Sequence, residues 1–468
     1  MLAENAINAI NAINGPRASA VKRYTDKGVS GMLFKNIQII DSSFNALRGV
    51  TVALKDDIIA YVGSWDDLPD KENWGEVIDG NGKLLVPGFY NSHGHTPMTL
   101  LRGYGENLSL RDWLELKIFP FEGRLNPDDV YFATLLGIAE MLRFGTVSVS
   151  DMYMLCDSMA QAVLDSGFKC NLSRAITGDD EIPYIKMPAH ADVESRVKKY
   201  HLSGNGRLRI DISLHAEYTS TPSIAKAVAA HCGSLGLNMH VHVSETRFEH
   251  EECKTRHEGR TPARYLADAG VFDTPAIAAH CVWVEDEDLD ILADKGVTLA
   301  ANPVSNLKLA SGICPIHKAM SKGINIGLGT DSVASNNNLN MFEEMKLHAI
   351  LHKATTGDPS FITPAQSLAC ATVNGARAQG RYDCGSVKPG NKADLVVIDS
   401  NSPNMRPCHN ALNNLVYAAT GSEVIMTIVD GKVLYRDGAW PSIDIDYVRD
   451  RVEASRERIL RELAGLDT

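Results

Sequence analysis

From Leu84 onward the chain alternates short apolar, β-prone runs with longer amphipathic ones, and eight of the short runs read as strands. The first spans 84–95, where Leu84-Leu85-Val86-Pro87-Gly88-Phe89-Tyr90 leads into Asn91-Ser92-His93-Gly94-His95. The others cover 146–152, 170–176, 208–215, 237–245, 276–281, 296–303 and 324–331. Helical patterns separate them. Asn126-Pro127-Asp128-Asp129 opens one as an N-cap with proline in the first turn, and its apolar run stops at Gly145. Thr221-Pro222-Ser223 opens another, which ends near Gly236. Strands alternating with helices predict parallel βα units. Eight of them make an α/β chain with a (β/α)8 TIM-like barrel over residues 84–385.

Both flanks have a different texture, with short apolar runs punctuated by turn residues. Ile58-Ile59-Ala60-Tyr61-Val62-Gly63 near one end resembles Ala393-Asp394-Leu395-Val396-Val397-Ile398-Asp399 near the other. Residues 32–83 and 386–440 are therefore expected to fold together as a small β-sandwich domain, followed by a charged helical tail over 441–468. Residues 1–31 carry three copies of Ala-Ile-Asn and no basic start of a signal peptide, and are expected to be a disordered extension.

Polar residues at the strand ends carry the chemistry. Period-2 geometry points His93 and His95 to one side of a strand. One such pair is a weak signal, equally compatible with two surface or core histidines. Later strands, however, end in His242 with Glu245 three residues on, in His280, and in Asp331. In a closed barrel these ends meet at one face. Three histidines and a carboxylate (His93, His95, His242 and Asp331) suit one divalent metal ion, Zn2+ first and Fe2+ as the alternative, and leave a place for water whose pKa falls toward about 7. Asp331 is also placed to take a proton from that water. Glu245 would protonate a substrate ring nitrogen, which requires a raised pKa in a buried pocket. His280 would orient the attacking oxygen and stabilise developing charge. His240, two residues before His242, is read as a core histidine or one behind the ligands. Trp113, in the long loop after the first strand, could stack on a planar base or simply anchor the loop.

Composition narrows the partners. The net charge of −12, from 46 basic and 58 acidic residues, argues against nucleic acid and anionic membranes. No run of about 18 apolar residues is present, so no membrane-spanning helix is expected. Nine cysteines without CxxC spacing suggest reduced thiols and a cytoplasmic protein. The zinc-deaminase signature of His-x-Glu with Pro-Cys-x-x-Cys is not matched at Pro407-Cys408.

Taken together, Pro87-Gly88-Phe89-Tyr90-Asn91-Ser92-His93-Gly94-His95, Leu100-Leu101-Arg102-Gly103, Trp113-Leu114, Pro120-Phe121-Glu122, His242-Val243-Ser244-Glu245-Thr246, Ala279-His280-Cys281-Val282, Asn302-Pro303-Val304-Ser305-Asn306 and Gly329-Thr330-Asp331 resemble the amidohydrolase superfamily, in its branch of cyclic-amidine deaminases. The resemblance covers nearly all of residues 32–465. It implies hydrolytic deamination of an adenosine derivative: S-adenosylhomocysteine, 5′-methylthioadenosine or adenosine. It also implies Glu122 on ribose hydroxyls, substrate contacts from Arg174 and His215, and a homo-oligomer. Binuclear members carry a carbamylated lysine on a middle strand. Here the third and fourth strands end in Arg174 and His215 instead, which favours one metal. The chain departs from the adenosine-derivative pattern after the third strand, where no arginine follows until Arg196. Guanine, a pterin or an s-triazine therefore stays open as the heterocyclic substrate, as does an inactive binding protein on the same fold.

Overall fold

The computed structural model describes Arg17, Ala20, residues 31–71 and residues 74–466. Its centre is a ring of parallel strands in sequence order: Phe89–Gly94, Thr146–Tyr153, Lys169–Ile176, a fourth in two pieces (Leu208–Ile210 and Ile212–Ala216), Met239–Val243, Ala276–His280, Thr298–Ala301 and Ile326–Leu328. A parallel bridge between Gly94 and Asp331 closes the ring, and the Asp331 N–H donates to the His93 carbonyl at 3.0 Å. These strands are buried on both faces, as parallel strands under helices must be.

The run 84–95 proves to be two strands rather than one. Lys83–Pro87 pairs parallel to Met32–Ile40 and antiparallel to Leu395–Asp399, so it belongs to the terminal sheet. Pro87 lacks an N–H, and a Cβ at Gly88 would lie 2.4 Å from Val147 Cγ1. The chain therefore crosses between layers at Gly88 and restarts as the first barrel strand at Phe89. The fourth strand is interrupted at Asp211, whose N–H bonds to the Leu172 carbonyl at 3.0 Å.

Both chain ends share one eight-stranded sheet. Its order is Lys432–Arg436, Val424–Val429, Leu395–Asp399, Lys83–Pro87, Met32–Ile40, Ala46–Lys55 and Ile58–Gly63, with Glu76–Asp79 beside Met32–Ile40. Phe34, Ile37, Ile39, Ile59, Leu85, Leu395, Val397 and Ile428 form a core of its own. The Ile59 N–H donates to the Asn391 carbonyl and the Ala393 N–H to the Asp57 carbonyl, both at 2.8 Å, so the Ile58–Gly63 edge returns onto the other half of the sheet and the sheet curls around this core.

Helix positions follow the expected capping. Pro127–Arg143 starts at Asn126, whose side chain accepts from Asp128 N and Asp129 N in a capping box. Pro222–Leu235 starts at Thr221 and ends at the left-handed Gly236. The final helix, Ile445–Leu463, joins the barrel through Arg458, 2.5 Å from Asp129 Oδ2. Of the N-terminal extension, Arg17 pairs with Asp128 at 2.8 Å and the Ala20 carbonyl accepts from Asp444 N–H. The expectation of disorder over residues 1–31 otherwise lies outside the described residues.

A buried ion cluster fastens the barrel to the terminal sheet. Lys169, at the start of the third strand and opposite the face of its C-terminal end, lies 2.5 Å from Asp394 Oδ2 and 2.6 Å from Asp430 Oδ1. The Tyr90 hydroxyl also donates to Asp394.

Candidate active site

Four donor side chains meet at the C-terminal mouth of the barrel. His93 is fully buried on the first strand, and His95 sits two residues later at the entry to the short helix Thr96–Leu101. His242 stands on the fifth strand, and Asp331 lies beyond the end of the eighth. Asp331 Oδ1 is 3.5 Å from His93 Nε2 and 3.3 Å from His95 Nε2, while the Nε2 atoms of His95 and His242 are 3.4 Å apart. Zinc binds nitrogen and oxygen at about 2.1 Å, so the edge of its coordination tetrahedron is about 3.4 Å. The donor spacing fits such an ion. His93 Nε2 is moreover buried without a hydrogen-bond partner, a vacancy in polar pairing that a cation satisfies.

Each ring is aimed from behind. His95 Nδ1–H donates to the Met152 carbonyl at 2.5 Å and His242 Nδ1–H to the His215 carbonyl at 2.7 Å. His93 Nδ1 lies 2.9 Å from His240 Nε2. Donation from Nδ1 to a carbonyl leaves the lone pair of His95 and His242 on Nε2, which is what a metal needs. The hydroxyls of Ser305 (2.6 Å) and Ser335 (3.1 Å) donate to Asp331 Oδ2, turning Oδ1 toward the histidines.

Electrostatics agree with a cation site. Burial pushes His93 down to about 3 and holds His240 and His242 well below the ordinary histidine range, so these rings are neutral. Burial also opposes charge on His95, but the hydrogen bond and charge of Asp331 outweigh it and raise His95 to about 9. Burial would raise Asp331 as well, yet the neighbouring His93, His95 and His280 rings keep it well below the usual carboxylate range.

Glu245 and His280 stand beside this cluster. Glu245 Oε2 is 3.8 Å from His280 Nε2, and His280 Nδ1 is fixed by Asn306 Oδ1 at 2.8 Å. Burial raises the Glu245 pKa against the pull of His280, with the charge of Asp331 adding to the rise. Several strand ends here turn through left-handed backbone: Ser244 has φ 48°, His280 71°, Cys281 50° and Asp331 58°. Non-glycine residues adopt such angles at a cost of about 1–2 kcal/mol each, and such strain clusters at functional sites.

The cluster opens into a cavity of about 580 Å³ whose wall includes Trp113, Glu122, Arg174 and His215. Trp113 is 5 % exposed and opens directly into a π-helical turn, Leu114–Ile118, an irregularity frequent at functional sites. Glu122 accepts the Tyr153 hydroxyl at 2.7 Å and is raised by burial. Burial pushes His215 down to about 4, and its Nδ1 lies 3.1 Å from Thr219 Oγ1. Arg174 reaches the wall but is engaged by Asp192, which Arg196 also approaches at 3.5 Å. The structure thus brings the sequence-predicted site residues to one cavity, with His93 buried against Asp331 rather than in the cavity wall and Arg174 already ion-paired.

Sequence reasoning passed over Tyr153, Asn306, Ser305, Ser335 and the Met152 carbonyl. Tyr153 had a usable signal, since it ends the second barrel strand. Ser305 had only its place in the Asn302–Asn306 motif, because its role depends on a contact 26 residues along the chain, and Ser335, four residues after Asp331, had none.

A (β/α)8 barrel with such a donor cluster at its strand ends defines a class of barrel hydrolases suited to a metal ion. The chain belongs to the amidohydrolase family, whose model, described as "Amidohydrolase family", matches residues 84–434. It is 41% identical over 408 residues to a protein of Dictyoglomus thermophilum named 5-methylthioadenosine/S-adenosylhomocysteine deaminase, covering 87% of this chain and 94% of that one. It is 40% identical over 427 residues to a 5'-deoxyadenosine deaminase of Methanothermobacter thermautotrophicus, covering 91% and 97%. Among solved structures, a zinc-bound adenosine deaminase from Xanthomonas campestris superposes with a TM-score of 0.86 at 30% identity, over 92% of this chain and 98% of that one.

Proposed function

We propose that the protein is a metal-dependent deaminase of 5′-substituted adenosines, converting the 6-amino group to a 6-oxo group and releasing ammonia. The observation that carries this reading is the pairing of a buried carboxyl whose pKa burial raises, Glu245, with His280 beside the His93–His95–His242–Asp331 cluster. Relatives about 40% identical over most of their length bear names of that activity, which supports it.

His93, His95, His242 and Asp331 would hold a divalent ion, zinc by preference and iron(II) as the alternative, which would supply Lewis acidity and make a water more acidic. Asp331 takes the proton lost by the attacking water. Glu245 gives its proton to ring N1 as oxygen adds to C6, so charge does not build on the ring. His280, with Nδ1 fixed on Asn306, faces the incoming oxygen with Nε2. Asp331 then returns its proton to the amine, the C–N bond breaks with the electron pair leaving on nitrogen, and the new hydroxyl proton goes back to Glu245. Water and the amidine enter; ammonia and the lactam leave, with both carboxyl groups restored.

Trp113 is assigned to the base or its cover, Glu122 with Tyr153 to the ribose hydroxyls, and His215 and Arg174 to the remaining contacts. Leu110, Leu114, Ile118 and Phe119 make one side of the cavity apolar, while Arg174 is neutralised by Asp192. That favours a small uncharged 5′ group, deoxy or methylthio, over a zwitterionic amino-acid tail. Among the described residues no helix is long and apolar enough to cross a membrane.

The test is ammonia release by zinc-loaded protein from 5′-methylthioadenosine, 5′-deoxyadenosine, S-adenosylhomocysteine, adenosine, guanine, a pterin and an aminotriazine. Preferred turnover of the first two is expected. Release from a free base or triazine alone would overturn the substrate assignment and leave the metal site standing.

A further inference from the structure

We propose that Glu249 is a positioning residue for Glu245, its carboxylate gripping the turn from which the proton-donating side chain projects; this rests on the role proposed for Glu245 above. Glu249 is the third residue of the helix Arg247–Arg256 and completes a capping box with Thr246. A capping box asks its acid only to reach the N-cap N–H. Here that contact is the longest, 3.5 Å from Thr246 N to Glu249 Oε2. The same carboxylate reaches further back and accepts two stronger bonds, from Ser244 N at 2.8 Å on Oε1 and from Glu245 N at 2.7 Å on Oε2. The side chain is 5 % exposed, so this is a buried grip rather than a solvated helix cap.

The turn needs holding. Ser244 is buried with φ 48°, a conformation its side chain disfavours. Ser244 Oγ lies 3.2 Å from His250 Nδ1, and Trp283 N–H donates to the Ser244 carbonyl at 2.9 Å. Glu245 itself has little to fix its aim. Its carboxyl makes one long hydrogen bond, 3.5 Å from Ser311 Oγ, and sits 3.8 Å from His280 Nε2. The direction of the proton donor is therefore set by its backbone, and Glu249 holds that backbone through two adjacent amides. Replacing the carboxylate with an amide leaves one acceptor for two N–H donors and turns an NH2 toward the other.

The experiment uses the metal-loaded full chain. Glu249→Gln is expected to lower kcat at least about tenfold while KM and bound metal stay within about twofold of the parent. A general structural role would lower the folded fraction without this split. In a Glu245→Gln background, adding Glu249→Gln is expected to change residual turnover less than twofold, because Glu249 acts through Glu245. A tenfold loss that persists in that background, or an unchanged kcat in the single variant, overturns the inference. Parental turnover by Glu245→Gln alone overturns instead the role given to Glu245, and this inference with it. Should Glu249→Gln fail to fold, hydrogen exchange of the parent decides. The Ser244 and Glu245 amides are expected to exchange as slowly as those of the flanking strand, and exchange as fast as an exposed loop overturns the grip.

Discussion

On the mechanism proposed, replacing Glu245 by Gln separates proton donation from metal binding, because of where its few contacts lie. Glu245 Oε1 and Oε2 touch Ser311 and His280, and neither oxygen bonds to His93, His95, His242 or Asp331. Gln has nearly the same volume and can keep the 3.5 Å contact with Ser311, so the donor cluster should bind its ion as before. The stability cost is small for the same reason. One long hydrogen bond is weakened, worth at most about 1 kcal/mol, while a buried ionisable group beside Glu249 is removed. The kinetic cost is large, since Gln cannot give up a proton to N1. General acid catalysis contributes about 10²–10⁴, equivalent to roughly 2.7–5.5 kcal/mol on the barrier. Metal content by elemental analysis, unfolding temperature and steady-state ammonia release measure the three quantities on one preparation. Full metal, an unchanged unfolding temperature and a kcat lowered at least about 100-fold are expected. A variant with full metal and near-parental kcat would refute the proton-donor assignment, and one that lost its metal would show that Glu245 supports the cluster instead.

His93→Ala removes the donor whose Nε2 is buried and unpartnered, and should abolish both metal retention and turnover; retention of one equivalent of zinc after dialysis would count against its place in the ligand set. Lys169→Met leaves Asp394 and Asp430 buried without their shared cation, a loss of about 3–5 kcal/mol. It should show as faster thermal inactivation, partly recovered by adding Asp394→Asn. His348 is fully buried with both ring nitrogens unpartnered, and burial pushes it down to about 3. Between that value and the unfolded value near 6.5 only the unfolded chain holds the proton, so the contribution of His348 to stability falls as pH drops, by about 1.4 kcal/mol per unit. His348→Leu should therefore raise the unfolding temperature, and by more at pH 5 than at pH 7.5; an equal or smaller gain at pH 5 would refute the sign.

Much of the barrel was legible because its signals are local. Asn126 before Pro127, Thr221 before Pro222 and Gly236 after the helix mark ends through capping chemistry that involves only neighbouring residues. Strand runs stood out because burial on both faces favours apolar, β-prone residues over charged ones. The splitting of the 84–95 run was not legible. Pro87-Gly88 reads as a modest interruption until Val147 is known to fill the space where a Cβ would stand. The sharing of one sheet by both ends was legible as texture, but its register of Leu395 opposite Pro87 depends on contacts more than 300 residues apart.

The site shows the same division, with a physical reason behind it. Residues that present chemistry end their strands, and strand ends can be read from the apolar pattern. Most residues that aim them come from other elements: Ser305 and Asn306 from the helix Pro303–Lys308 onto Asp331 and His280, and Tyr153 from the second strand onto Glu122, while Ser335 reaches Asp331 from four residues further along its own connection. The left-handed angles at Ser244, His280 and Asp331 were equally invisible, since no glycine marks them. Together these angles cost several kcal/mol by the usual scale, and the surrounding hydrogen bonds must hold the turns against that cost. Hydrogen bonds to buried or charged partners contribute about 1–3 kcal/mol each, so two or three per turn suffice. The aiming residues therefore do two things at once: they orient the reacting groups and keep strained turns from relaxing. Loss of one should cost rate before it costs fold, because the barrel core beneath does not depend on it.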